Sequence, residues 1–313
     1  MRKSVSGLGL AALGVASAID EVHTSFAWAK SVVTTAICYM PPERTVSDDG
    51  PRGLVARIAR GADYHDVLRT KLAYLVDQIK TEHPAAQTQI CVDTSPLPER
   101  KLALLSGIAS RAKNANVFVE GCGSYAALGE IVTDITLPTT EPCETDLCDS
   151  CNECMRACPM KAIIAPGVID RGRCLSAVTQ SGGIIPVEIR KAMGNSIYGC
   201  DRCQEVCPHN AGVKASAPEF AEDMFPRANP ELIPLISMSS RDFRERVKRS
   251  SIGWIGRTRI RRNAIIAAGN LGCEESISAL EKVLDGESAI LREYAKWSLQ
   301  KIAGSGSGNP DPE

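Results

Sequence analysis

The sequence predicts three consecutive structural units: an α/β unit over residues 1–140, a cysteine-rich metal-thiolate module over residues 141–215, and an α-helical unit over residues 216–303. A disordered polar tail follows at residues 304–313. Three observations carry this division. Apolar strand-like runs alternate with an amphipathic segment in the first part of the chain; eight of the thirteen cysteines crowd between Cys148 and Cys207; and three successive runs with helical periodicity fill the last part.

In the first unit, Ser31–Tyr39 (SVVTTAICY) reads as a buried strand, and Gln89–Val92 as a second that ends at the turn Asp93-Thr-Ser-Pro96. Between them, Tyr64–Ile79 places apolar residues three and four apart, the pattern of an amphipathic helix. Strand, helix and strand in that order suggest an α/β domain. Val117–Glu120 is a further strand candidate, before the glycine-rich Gly121-Cys-Gly123. The opening stretch has two cations, an apolar run and Ala16-Ser17-Ala18, which reads either as an export signal or as a short helix or strand–turn that begins the unit. Clustered thiols need a reducing compartment, so the second reading is preferred and the protein is expected in the cytoplasm. No run of 18 or more apolar residues occurs, so no membrane span is expected.

The bulk numbers exclude little else. A net charge of −1 with 23% charged residues indicates no global attraction to nucleic acid or membrane, and 4% aromatics argues against a stacking platform for single strands.

In the second unit, Cys148, Cys151, Cys154 and Cys158-Pro159 spell C-x2-C-x2-C-x3-C-P, the run of bacterial ferredoxins. Three closely spaced thiolates wrap one 4Fe-4S cluster, and the fourth cysteine is directed to a second one. Cys174, Cys200, Cys203 and Cys207-Pro208 supply the partner set. That crossing assigns Cys148, Cys151, Cys154 and Cys207 to one cluster, and Cys158, Cys174, Cys200 and Cys203 to the other. Paired C-x2-C motifs also suit structural zinc, but zinc does not account for a four-cysteine run closed by proline and repeated in part downstream. Two clusters make an electron path, and the long first unit favours an enzyme over a bare carrier.

In the third unit, Ile260–Leu271, Ser276–Leu284 and Ala289–Ile302 read as three helices, a HEAT-like arrangement in a single copy. Arg241–Arg262 holds nine Lys/Arg against two acids, a local patch suited to phosphate contacts.

Several strings resemble the epoxyqueuosine reductases, cobalamin-dependent iron–sulfur enzymes of tRNA queuosine synthesis. They are Ala56–His65 (ARIARGADYH), Val92–Arg100 (VDTSPLPER), Lys113-Asn114, Gly123–Pro138 (GSYAALGEIVTDITLP), the cluster run, Arg173-Cys174, Ile197–Asn210 (IYGCDRCQEVCPHN) and Arg261–Gly269 (RRNAIIAAG). The resemblance implies that the first unit binds cobalamin beside a ferredoxin-like double 4Fe-4S module, with an external low-potential electron donor and tRNA as substrate. It implies that Asp93 is the proton donor, its pKa raised by a closed apolar pocket. It also implies cobalamin contacts at Arg57, Val117, Leu128, Ser176 and Asp201, with Lys113 and Asn114 shaping the same pocket. The His-on cobalamin signature D-x-H-x-x-G is absent, since Asp63-Tyr-His65-Asp-Val-Leu68 ends in leucine.

The chain departs from the family pattern in a shortened start after Leu8-Gly-Leu10, in Ser110 where the family has tryptophan, and in Ser176–Ser181, which lacks the family's tyrosine and glutamate. These departures leave two other readings open: a related corrinoid iron–sulfur reductase of another small substrate, and an electron-transfer protein without cobalamin.

Overall fold

The structure is a computed structural model, and it describes residues 7–41, 50–143, 145–214, 217–220, 225, 228–286 and 288–305. Four strands form one sheet: β1 (Ala12–Ser17), β2 (Ser31–Cys38), β3 (Thr88–Cys91) and β4 (Ala126–Thr133), in the order β1-β2-β4-β3. The stretch around Ala16-Ser17 is therefore an edge strand, with Val15 opposite Val33.

Every neighbouring pair in the sheet is antiparallel. The strand–helix–strand passage exists, but β4 inserts between β2 and β3, so the crossover is split. The sequence reading gave no strand at Ala126–Thr133, although it is one of the two inner strands, buried along nearly its whole length. Its apolar run is interrupted by Gly129 and Glu130, which is why pattern alone passes over it.

Helix α1 (Tyr64–Glu82) lies on one face of the sheet and buries Leu68, Leu72, Leu75 and Ile79 against Val33, Ile37, Ala127 and Ile131. The spacing of four, three and four residues is one helical stripe. Its N-cap Asp63 accepts a hydrogen bond from the His65 backbone N–H at 3.0 Å. Gly129 allows the approach of α1, because a Cβ there would stand 3.0 Å from Leu72 Cδ1. Helix α2 (Glu99–Leu105) covers the opposite face, where Leu102 packs with Val32, Cys91 and Val132. Val117–Phe118 forms a short hairpin with Ser110–Arg111.

The rest of the chain shares one larger core. Helices α3 (Leu175–Gln180) and α4 (Val187–Met193) and strand β5 (Ser196–Tyr198) pack with the three C-terminal helices α5 (Arg257–Leu271), α6 (Ile277–Gly286) and α7 (Ala289–Ser305). Strand β5 pairs in parallel with Leu54–Val55 from the first unit, and Val55 joins the same core as Ile197, Ile265 and Tyr294. Helix α5 is buried from Ile260 to Gly269 and ends at Gly272, whose left-handed φ of 63° caps it.

Two expectations change here. Helix α7 extends through Ser305, so the expected tail loses its first two residues to the helix, and residues 306–313 lie outside the described ones. Arg261 and Arg262, counted in the basic patch, point inward. Arg261 Nε donates to the Ile236 carbonyl, and Arg262 donates to the carbonyls of Ser181, Val178 and Thr179 at the end of α3. The Val178 carbonyl also accepts from the Ser181 N–H, and the Thr179 carbonyl from Asn263 Nδ2, so the arginine completes the capping of the helix end. Burial pushes the Arg262 guanidinium down to about 10. Arg241, Arg244, Arg246, Lys248 and Arg249 remain exposed.

Candidate active site

The cysteine module brings distant residues together. Cys148, Cys151, Cys154 and Cys207 line one pocket with Lys113, Asn114, Phe118 and His209. Cys158 does not line it; its Sγ accepts a hydrogen bond from the Ala162 N–H at 3.2 Å. Cys174, Cys200 and Cys203 are close enough to feel one another's charge. Burial, followed by Cys200 and Cys174, pushes the Cys203 thiol up to about 12. Among the described residues, no three His, Cys, Asp or Glu side chains gather tightly enough for a single metal ion. Thiols held apart around a void suit a cluster, which is larger than one ion.

Polar contacts dock this module on the sheet unit. Gln204 Nε2 donates to the Tyr39 hydroxyl at 3.0 Å and to the Ser124 carbonyl at 2.9 Å, and Asn210 accepts from the Ser124 N–H at 2.7 Å. All are buried, so the network fixes the Cys203–Cys207 turn against the sheet. Lys113 clamps the first cysteine loop: its backbone N–H donates to Cys148 Sγ at 3.4 Å, and its Nζ to the carbonyls of Asp149 and Cys151 at 2.5 and 3.0 Å.

Asp93 follows β3 in a left-handed conformation, φ 53°, which costs a non-glycine residue about 1–2 kcal/mol. Its N–H donates to Glu99 Oε1 at 2.5 Å. Its carboxyl is 59% exposed and stands 3.4 Å from His65 Nε2, while His65 Nδ1 lies 2.7 Å from Asp63 Oδ1. Tyr64 stacks on the His65 ring and also bonds Asp93. Burial opposes a charge on His65, but the bonds to Asp63 and Asp93 outweigh it and push the imidazole up to about 9. The His65 hydrogen bond in turn holds Asp93 below the usual carboxylate range. The sequence reading expected the opposite direction. An imidazolium in contact and a half-open carboxyl are the reason.

Across from Asp93 stands Tyr198, pushed up to about 12 by burial and sensitive to the charge of Asp93. Its hydroxyl accepts from Trp254 Nε1 at 3.0 Å, and Trp254 is 61% exposed. Tyr198 ends β5 two residues before Cys200, so one short segment runs from the acid site to the second cysteine set.

The other expected contact residues fall in three places. Arg57, Asp201 and Ser176 lie near Cys200: Arg57 donates to Asp201 Oδ2 from its backbone at 2.7 Å and pairs with Glu205 at 2.6 Å. Ser176 accepts from Gln180, which also accepts from the Tyr198 hydroxyl at 3.4 Å. Lys113 and Asn114 sit at the first cysteine set. Val117 and Leu128 share a small buried core with Ala103 and Cys122. His65, Tyr64, Glu99, Glu130, Tyr198 and Trp254 were not singled out from sequence as functional residues. The one local signal for His65 was its place two residues after the helix cap Asp63.

Comparison with known proteins agrees with this arrangement. Residues 147–210 match the 4Fe-4S double cluster binding domain, which spans all eight cysteines of the two sets, and residues 20–94 match the family described as epoxyqueuosine reductase QueG, DUF1730. The epoxyqueuosine reductase of Bacillus subtilis strain 168 is 38% identical over 284 residues, covering 88% of this chain and 72% of that protein. A crystal structure of an epoxyqueuosine reductase with an epoxyqueuosine-modified tRNA-Tyr stem loop superposes with a TM-score of 0.86 at 33% identity, over 96% of this chain and 88% of the other. Another structure, from Bacillus subtilis, has its catalytic aspartate loop swung out of the active site; its TM-score is 0.84 at 32% identity, over 96% of this chain and 89% of the other. With a double-cluster module, an acid turn beside it and relatives that match along nearly the whole chain, the protein belongs to the epoxyqueuosine reductase family.

Proposed function

We propose that this chain reduces epoxyqueuosine in tRNA to queuosine, with Asp93 and His65 handling the protons at the site. Removal of an epoxide oxygen as water, leaving a carbon–carbon double bond, consumes two electrons and two protons. Two 4Fe-4S clusters and cobalamin, when bound, supply the electrons, drawn from an external low-potential donor. The residues fit such a cofactor: the Asp93 carboxyl, the Tyr198 hydroxyl and the Trp254 indole converge beside the strand that leads to Cys200. Residues 1–140 then hold the cobalamin, residues 141–215 the clusters, and the HEAT-like helices that begin after residue 216 part of the tRNA surface. We place the reaction in the cytoplasm. No helix among the described residues is long and apolar enough to cross a membrane.

The observation that carries this reading is the Asp93 turn. A strained backbone presents a half-exposed carboxyl in contact with a histidine that holds a proton at neutral pH. An oxygen leaving carbon with negative charge needs a donor within hydrogen-bond reach, and an Asp93–His65 pair holds one proton ready for it. The exposed Arg241, Arg244, Arg246, Lys248 and Arg249 supply charge for the tRNA backbone. The test is anaerobic turnover of epoxyqueuosine-containing tRNA by the cobalamin-loaded protein. Asp93→Asn tolerates the left-handed turn and should abolish turnover while iron content and cobalamin binding persist. Retained turnover removes Asp93 from the chemistry.

A further inference from the structure

Beneath the Asp93 turn lies a second acid cluster that the reaction does not use directly. Glu130, in the middle of β4, is fully buried, and neither carboxyl oxygen meets a hydrogen-bond donor. Its cross-strand neighbours are Thr34 on β2 and Cys91 on β3, and the Thr34 hydroxyl is likewise buried without a partner. The side chain facing Glu130 from α2 is another carboxyl, that of Glu99. Glu99 is the same residue that accepts the Asp93 N–H at 2.5 Å. The cations beside it in sequence turn elsewhere, Arg100 to the Ala115 carbonyl and Lys101 to Glu21.

Two facing carboxyls with no cation between them cannot both be ionised in a buried site without a large cost. A proton on Glu130 resolves the conflict: its O–H donates to Glu99, and Glu99 keeps a lone pair for the Asp93 N–H. We propose that Glu130 and Glu99 form a proton-sharing pair that positions the Asp93 turn for catalysis, and that the turn is released when the shared proton is lost. Burial raises both acids, Glu99 to about 7; Glu99 pushes Glu130 further up, while the hydrogen bond from Glu130 pulls Glu99 down, as expected when Glu130 carries the proton. The remaining charged or titratable groups around the pair are Asp93, His65, Tyr64 and Cys91; only His65 is positive, and it is already engaged by Asp63 and Asp93. As pH rises past neutrality, the two carboxylates repel, Glu99 withdraws from the Asp93 N–H, and the left-handed turn loses its backbone anchor to α2.

The proposal takes the role of Asp93 assigned above as its premise, but one arm of the test reads the pair without substrate. In the anaerobic holoenzyme near neutral pH, isotope-edited infrared spectra should show the carbonyl stretch of one protonated glutamic acid, absent in Glu130→Gln. In turnover, Glu130→Ala should lower kcat about tenfold or more with little change in KM for tRNA, since small misplacement of a reacting group is costly. Glu130→Gln, which restores a donor to Glu99, should recover most of that loss and move the alkaline fall in kcat from near neutrality up to the His65 value of about 9. If the wild-type spectrum shows no protonated glutamic acid, the pair does not exist as described, whatever the substrate. If Glu130→Gln keeps the wild-type alkaline limb, or Glu130→Ala keeps wild-type kcat, the pair does not position the turn.

Discussion

Replacing His65 with glutamine tests the charge balance of the acid site most directly. The imidazole bridges Asp63 at 2.7 Å and Asp93 at 3.4 Å, which moves it from 6.5 to about 9. At about 1.4 kcal/mol per pH unit the ceiling on its contribution is about 3 kcal/mol. The Asp93 carboxyl is 59% exposed, so solvent screening leaves about 1–2 kcal/mol. The sign follows from the raised value. The imidazolium is better held in the folded chain, so its stabilisation is complete below the unfolded value of 6.5 and is lost as pH rises through about 9. Anaerobic urea unfolding of the cluster-loaded protein should therefore show His65→Gln less stable than wild type by about 1–2 kcal/mol near pH 6, with the gap closing towards about pH 10. The same variant removes the main cause of the low Asp93 value, so the acid limb of turnover should move to higher pH. A stability gap of constant size across this range refutes the ion-pair account and leaves only packing.

Cys207→Ala and Cys148→Ala should each remove the same cluster signal from electron paramagnetic resonance and halve the iron content, while Cys174→Ala removes the other; a match of Cys207 with Cys174 instead would undo the crossed assignment. Arg262→Met removes a buried donor shared by the carbonyls of Val178, Thr179 and Ser181 and should cost about 1–3 kcal/mol in denaturant unfolding; a change within 0.5 kcal/mol, the size of about an average surface substitution, contradicts the capping role. Neutralising Arg244, Lys248 and Arg249 one at a time should weaken tRNA binding and reduce its salt slope by about one for each true phosphate contact. An unchanged slope for all three moves the tRNA surface elsewhere.

Much of the site was legible because its ligands are local. Spacings of two and three residues bring Cys148, Cys151, Cys154 and Cys158 into one loop, and proline after Cys158 and Cys207 marks where each run ends. The stripe Leu68, Leu72, Leu75 and Ile79 was equally plain, because helix periodicity is written within one turn of chain. The turn at Asp93 was visible as turn chemistry, and the family strings gave it a role. Less legible was anything set by partners distant in sequence. Arg261 and Arg262 carry the same charge as the exposed cations at residues 241–249, and only the packing of α5 turns them inward. Lys113, expected to shape the pocket, also clamps a cysteine loop through carbonyls 36 and 38 residues away.

The sequence by itself determined that two sets of thiols are present, which stretches form the main helices, and where the acid turn falls. Tertiary structure alone decided that β4 runs between β2 and β3, and that placement buries Glu130 against Glu99. It also decided that His65, 28 residues before Asp93, reaches its carboxyl. The physical reason is that periodicity and spacing report a residue's immediate neighbours, whereas the protonation of a carboxyl depends on the charges and solvent that packing brings to it from across the fold.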